Sequence, residues 1–397
     1  MTHLGSRLES TERQAGRKHG LLLVSMSCLP VLGAVLLAPL QPQMLEHFSE
    51  TAGVNALVPL TITAPALMIG LLAFAAGRIA DSLGRIRLLT VALVLYSVCG
   101  IAPLLLDSLP LIVLSRLGVG IAEAGIMTCC TTLIADYFTG KQRARYFGLQ
   151  IAFTSLSAVV FIALGGALAQ DTWRTPFWLY SVGIVFAVVV PFVLWQPNAD
   201  TESGTVHSLA WRPLALPLTV TLFGGAVFYT PIVQIPLKLD GVGIDNPGTI
   251  GAISAIVAVA TAASAFMFVR ISDRGPKVLL PIAFGVAGVG LVVVGLAPSA
   301  AMVAAGGIVA SAGSGMLLPT LLMWVIGELE FAQRARGTGA FTASIFLGQF
   351  LSPLVVLAFA LALGGLTAAL AALGVLAVIT ALLLRSSQSV RKLSLQP

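Results

Sequence analysis

Two ionisable residues, Arg116 and Glu123, stand inside the otherwise apolar stretch SRLGVGIAEAGIMTCCTTLIADYF, seven positions apart. On a helix, seven residues is almost two turns. The pair therefore shares a face but is separated by about 10 Å along the axis, too far for a tight ion pair. A lone carboxyl group in an apolar setting is costly to ionise. Such a group can gain and lose a proton as its surroundings open to one side or the other, which is the chemistry of a proton relay. The plainer role is a permanently protonated side chain hydrogen-bonded between helices. Arg116 has three roles open to it: balancing an anionic ligand, setting the protonation of Glu123, or anchoring helix ends through backbone carbonyls.

A second set of charges recurs along the chain. Arg78, Asp81, Arg85 and Asp136 align with Arg270, Asp273, Lys277 and Glu328 at an offset of 192, and QRAR occurs twice, at Gln142 and Gln333, at an offset of 191. Five charged features in register mark one unit used twice. Asp81 closes one helix and can face the positive N-terminal end of another, worth roughly 0.3–1 kcal/mol. Arg85, one turn on, can pair with Asp136, and Asp273, Lys277 and Glu328 can repeat the arrangement. With Gly77 and Gly84 in the same loop, these residues predict a latch between two bundles, closed in one state and parted in the other. Arg116 and Glu123 are not shared. Their counterparts are Ile308 and Gly315, so neither charge is required merely to build the unit.

The elements that position these groups follow from composition. Hydrophobic residues make up 57% of the chain and charged residues only 10%, against roughly 25% charged in a soluble domain. Apolar runs of about 20 residues recur from end to end, each able to cross a bilayer. Twelve spans are expected, near 20–43, 55–77, 87–106, 110–134, 146–169, 176–195, 213–237, 248–269, 277–297, 299–326, 338–362 and 365–385. Continuous apolarity excludes the alternation of barrel strands, so the fold class is an all-α membrane protein. Its glycines, as in GVAGVGLVVVG, let helices approach closely. The division expected is a tail 1–19, a six-helix bundle 20–195, a linker 196–212, a second bundle 213–385 and a tail 386–397.

Of the 22 Lys and Arg residues, 19 fall in the tails and in alternate loops, leaving Arg174 and Lys238 on the opposite side and Arg116 within a span. This bias predicts both termini in the cytoplasm. The net charge of +6 then reflects topology and anionic lipid, and no basic run interleaved with aromatics points to nucleic acid. Cys28, Cys99, Cys129 and Cys130 lie in apolar runs without CxxC spacing and read as packing residues, neither disulfides nor metal ligands. No metal, nucleotide or hydrolytic motif is present, so no cofactor and no enzyme chemistry are expected, with the proton as coupling ion.

A parallel repeat of six spans is the organisation of the major facilitator superfamily, and the chain resembles it at the defining loop. Gly77, Asp81, Gly84, Arg85 and Leu89 match the signature G-x-L-a-D-r-x-G-r-k-x-x-L, with Ser82 where arginine is common. Span four resembles the R-x-x-x-G-x-x-E-A pattern of spinster-like lipid transporters and organic-anion:cation symporters at Arg116, Gly120, Glu123 and Ala124. Span five only partly resembles drug–proton antiporters: Gly165 and Gly166 fit, while Phe161 and Ile162 replace the central Gly-Pro. Span one lacks the acid or base often found there.

The resemblance implies two pseudo-symmetric six-helix bundles, alternating access and proton coupling at Glu123. Candidate cavity groups are Gln41, Thr61, Ser157, Tyr229, Gln234, Ser311, Ser314 and Gln349, with Gln43, Thr63 and Ser155 beside them. Few polar groups and one acid suit a lipophilic or amphipathic substrate better than a sugar. The expected function is proton-coupled export of such a molecule. Uptake of an organic anion is the alternative, and a non-transporting receptor or scaffold on the same fold is the second. The expected setting is the bacterial inner membrane, where the protein meets lipid and a small-molecule substrate as a functional monomer.

Overall fold

Apolar helices of membrane length build the structure, a computed structural model that describes residues 15–197, 211–330 and 333–386. No strand occurs among the described residues, as expected where lipid offers the backbone no hydrogen-bond partner. Twelve crossings run Arg17–His47, Val54–Leu72, Arg85–Leu104, Leu109–Tyr137, Gly140–Leu168, Thr175–Val193, Trp211–Asp240, Pro247–Ile271, Gly275–Leu296, Ala300–Gly327, Arg334–Leu363 and Leu366–Ser386. These are spans one to twelve below. An even number of crossings puts both ends on one side, here the terminal face; the opposite side is the far face. The tails 1–19 and 386–397 and the linker 196–212 fall largely outside the described residues.

Two elements differ from expectation. Span two ends at Leu72, and the loop motif rides on a separate short helix, Ala76–Leu83. Span one is broken into Arg17–Met26, Leu29–Val35, a 3-10 turn Ala38–Leu40, and Gln41–His47. Pro30, Pro39 and Pro42 stand in the first turn of the last three pieces. A proline brings no N–H, so it leaves a carbonyl one turn back without its helical partner. Such carbonyls need other donors, and that of Ala38 takes Gln41 Nε2 at 3.2 Å from within span one.

Two large clusters make up most of the buried core. One cluster, from Leu23 to Leu194, lies within spans one to six and takes in Tyr229 and Val233 of span seven. The other, from Leu214 to Leu384, lies within spans seven to twelve. Glycine sets the tightest approaches, as the composition implied. A methyl group on Gly288 of span nine would lie 2.5 Å from the Gly374 carbonyl of span twelve. The turns leading into spans three and nine need glycine for another reason: Gly84 and Gly275 have φ of +84° and +70°, where a side chain would be strained. Large apolar side chains such as Phe192 and Leu361 are exposed, as a bundle solvated by lipid allows.

Candidate functional site

A central cavity of about 520 Å³ lies between the two units. Spans one, two, four and five line it from the first unit, and spans seven, eight, ten and eleven from the second. The same four positions of each repeat thus form the wall. On the terminal side the lining reaches Gln150 and Ala265. On the far side the units seal. Gln41 Nε2 donates to the Val233 carbonyl at 2.7 Å, Tyr229 Oη donates to the Ala34 carbonyl, and Gly166 of span five abuts Gly251 of span eight, where an added methyl would lie 2.8 Å from Cα.

Glu123 is on the cavity wall and is only 1% exposed. It is the one carboxylate among the lining residues, and no Lys, Arg or His joins it there. Its Oε1 is buried without a hydrogen-bond partner. Span four carries it past span two at Gly120, where an added methyl would fall 2.5 Å from the Pro65 carbonyl. The equivalent position in span ten, Gly315, is packed tightly against the Thr261 carbonyl and Ser264 of span eight. The first unit has room for an acid there and the second does not.

Arg116 does not line the cavity. It is fully buried, and its Nη2 donates to the carbonyls of Cys99 (3.0 Å) and Gly100 (3.1 Å) at the far end of span three. Its guanidinium stands over the rings of Phe177 (5.3 Å) and Tyr180 (4.7 Å) of span six. No ion pair joins it to Glu123 among the described residues. Of its three open roles, this geometry is that of the helix-end anchor, a cation on the negative end of a helix. Lys238 does the same work in the second unit. It was expected in a loop on the opposite side, yet it lies in the last turn of span seven, is 8% exposed, and its Nζ donates to the Gly295 carbonyl (2.9 Å) at the end of span nine and to Thr367 Oγ1 (3.0 Å).

The other expected cavity groups divide. Tyr229, Ser311 and Gln349 line the wall, as does Ser155. Gln41, Thr61, Ser157, Gln234 and Ser314 do not, and all five are buried elsewhere. Gln41 bonds across the units as described. Thr61 and Ser157 return their hydroxyls to the carbonyls of Val58 and Thr154 on their own helices. Thr63 does likewise to Pro59, and Gln43 Nε2 donates to the Ala169 carbonyl. Unanticipated wall residues are Gln150, whose Nε2 donates to Ser27 Oγ at 2.8 Å, and Ser254, whose Oγ is buried without a partner. Gln150 had a sequence signal, an amide inside an apolar run.

The charge cluster on the terminal face is partly assembled. Arg85 pairs with Asp136, and lies 3.5 Å from Asp81, whose side chain is 71% exposed. The Gln196 side-chain carbonyl accepts from the Ile86 N–H at 3.3 Å beside Gly84. Gly77 has open space around it. Arg85 opens span three and Asp136 closes span four, so the pair staples one unit internally. The expected latch between units is corrected on this point: the units instead meet here where Phe74 packs near Gly339 and Gly70 near Leu347. Among the described residues Asp273, Lys277 and Glu328 form no ion pair. Register in sequence did not place them in contact.

Asp136→Asn is therefore expected to lower thermal stability by about 1 kcal/mol, the scale of a partly exposed pair. Spin labels on the terminal ends of the two units should keep their separation. A changed separation would show that the pair also senses the second unit.

A family model described as Major Facilitator Superfamily matches residues 23–249. The quinolone resistance protein NorA of Staphylococcus aureus (strain Mu50 / ATCC 700699) is 26% identical over 210 residues, covering 50% of this chain and 53% of that protein. The quinolone resistance protein NorB of Staphylococcus aureus (strain JH9) is 26% identical over 221 residues, covering 54% and 46%. The chain spans about half the length of the curated relatives it matches. Among solved structures, a bacterial homolog to the human lysosomal transporter Spinster, inward-facing and unoccupied, superposes with a TM-score of 0.76 at 19% identity, covering 95% of this chain and 98% of that one. The human organic anion transporter MFSD10 (TETRAN) gives 0.69 at 17% identity, covering 93% and 99%. At such identities the likeness is one of fold.

Proposed function

The chain belongs to the Major Facilitator Superfamily, and on that premise we propose that it is a proton-coupled secondary transporter that exports a lipophilic or amphipathic small molecule. The observation that carries this reading is Glu123: a buried, unpartnered carboxylate on the wall of a cavity that is otherwise uncharged. An ionisable group inside a membrane protein that faces the interior is a functional group by default. At this site an apolar ligand and a proton compete for one small volume. Export is favoured over anion uptake because no cation lines the wall, Arg116 being engaged with helix carbonyls. The two relatives named for quinolone resistance agree with that direction.

In this reading the units 20–195 and 213–385 are the moving halves, joined by the linker 196–212. The terminal face is cytoplasmic, the membrane is the plasma membrane of a bacterium, and the protein works as a monomer with the proton as its coupling species. The cavity, sealed on the far side, then corresponds to an inward-facing state. The test is transport in proteoliposomes. A lipophilic quinolone should accumulate against its gradient when a pH gradient is imposed, and the accumulation should vanish when a protonophore collapses that gradient. Accumulation that survives the protonophore would overturn proton coupling, and no movement of any lipophilic probe would favour a receptor or scaffold.

A further inference from the structure

Span one changes partners along its length. As far as Leu29 it is hydrogen-bonded to the first unit: Gln150 donates to Ser27 Oγ, and Tyr96 Oη donates to the Leu29 carbonyl at 2.8 Å. Beyond Gly33 it also bonds to the second unit, through Tyr229 Oη to the Ala34 carbonyl and Gln41 Nε2 to the Val233 carbonyl. Val35 packs there with Ile162 and Ala255, one from each unit. The boundary between these two regimes is Gly33, and Glu123 rests directly on it. A methyl group on Gly33 would overlap Glu123 Oε1 and stand 3.0 Å from its Cδ. Only a bare backbone leaves the carboxyl group this slot.

We propose that the Gly33–Ala34 step of span one converts proton occupancy of Glu123 into the contact that seals the far face, with Tyr229 as the positioning residue in the second unit. The inference rests on the reading of Glu123 as the coupling group. A neutral carboxyl group fits the dry slot against Gly33. An ionised one, with no donor on Oε1, gains hydration by swinging into the cavity, because an unpaired charge in an apolar setting is costly. Its departure leaves the broken helix unsupported at the residue before Ala34. The Ala34 carbonyl then shifts from Tyr229, and the far seal loosens. The titratable groups that interact with Glu123 are Arg116 on its own helix, Tyr96 and Tyr180 on spans three and six, and Tyr229 on span seven. Of these only Tyr229 belongs to the second unit.

The cycle this gives has a defined sign. Protonated Glu123 holds the far face shut, and proton loss toward the terminal face frees the seal to open. An exporter needs that order, since the bound substrate must leave on the far side while the acid is unprotonated.

The experiment uses the full chain in liposomes, with spin labels at Thr172, in the turn that follows span five, and Thr249, at the far end of span eight. In wild type the label separation should lengthen from acidic to alkaline buffer. Glu123→Gln should stay short in both. Tyr229→Phe keeps the ring but removes the donor, and should lengthen the separation and lose the pH response. Gly33→Ala evicts the carboxyl group, so it should hold the long distance in both buffers. If Glu123→Gln abolishes the pH response while Tyr229→Phe and Gly33→Ala both keep the wild-type one, the transmission step is wrong and the coupling role of Glu123 stands. If Glu123→Gln itself keeps the wild-type response, the coupling role fails and this inference with it. Tyr229→Phe is close to isosteric, so it decides between these outcomes should Gly33→Ala not fold.

Discussion

Glu123→Gln is expected neither to concentrate substrate nor to exchange it across a liposome membrane, because a neutral group at this place keeps the far face shut. Glutamine keeps the shape of the side chain and mimics its protonated form, so the slot against Gly33 stays filled. Nothing remains that can release a proton. For an exchange of one proton, a gradient of one pH unit is worth about 1.4 kcal/mol, or about a tenfold accumulation. The variant should fall to no accumulation at all under the same gradient. Exchange of labelled for unlabelled substrate without a gradient should be lost as well, since it requires the far face to open. A variant that still accumulates substrate as the wild type does would place coupling elsewhere.

Replacing Arg116 is expected to damage the fold rather than a binding site. Arg116→Met removes two charge-assisted hydrogen bonds to the end of span three and the contact with two rings. Hydrogen bonds to charged groups are worth about 1.5–3 kcal/mol each in soluble proteins and less in membranes, averaging about 0.6 kcal/mol. A net loss of about 2–3 kcal/mol is expected once the stacked guanidinium is included. Arg116→Lys keeps the charge without the planar fork and should lie between. The measurement is thermal unfolding of the purified protein in detergent, alongside substrate affinity of the surviving folded fraction. An unchanged melting curve with weakened binding of an organic anion would restore the ligand-balancing role and the uptake reading.

The sequence carried the spans well because hydropathy over about 20 residues is a one-dimensional property. It carried Glu123 and Arg116 because a charge inside such a run is conspicuous. It could not say which wall each faces. Every side of these helices is apolar, so no polar stripe marks the interior, and Ser311 and Ser314 looked alike although only Ser311 reaches the cavity. The prolines of span one were visible, but the breaks are completed by Tyr96 and Tyr229 from distant helices. Lys238 was read by position in the chain and proved to be a buried cap. The duplicated charges illustrate the same limit. Arg85 and Asp136 meet, whereas Lys277 and Glu328, in the same register, do not.

A gene that arises by duplication begins with two of everything, and what it loses afterwards is hard to regain. Gly315, the mirror of Glu123, now lies so close to the Thr261 carbonyl that any side chain there would push spans eight and ten apart. A single mutation cannot place an acid there without breaking that packing. A descendant of this lineage seeking a second ionisable group would have to recruit it at positions already facing open space, such as Ser311 or Gln349. Steric history, as much as selection, thus limits which charges this scaffold can acquire next.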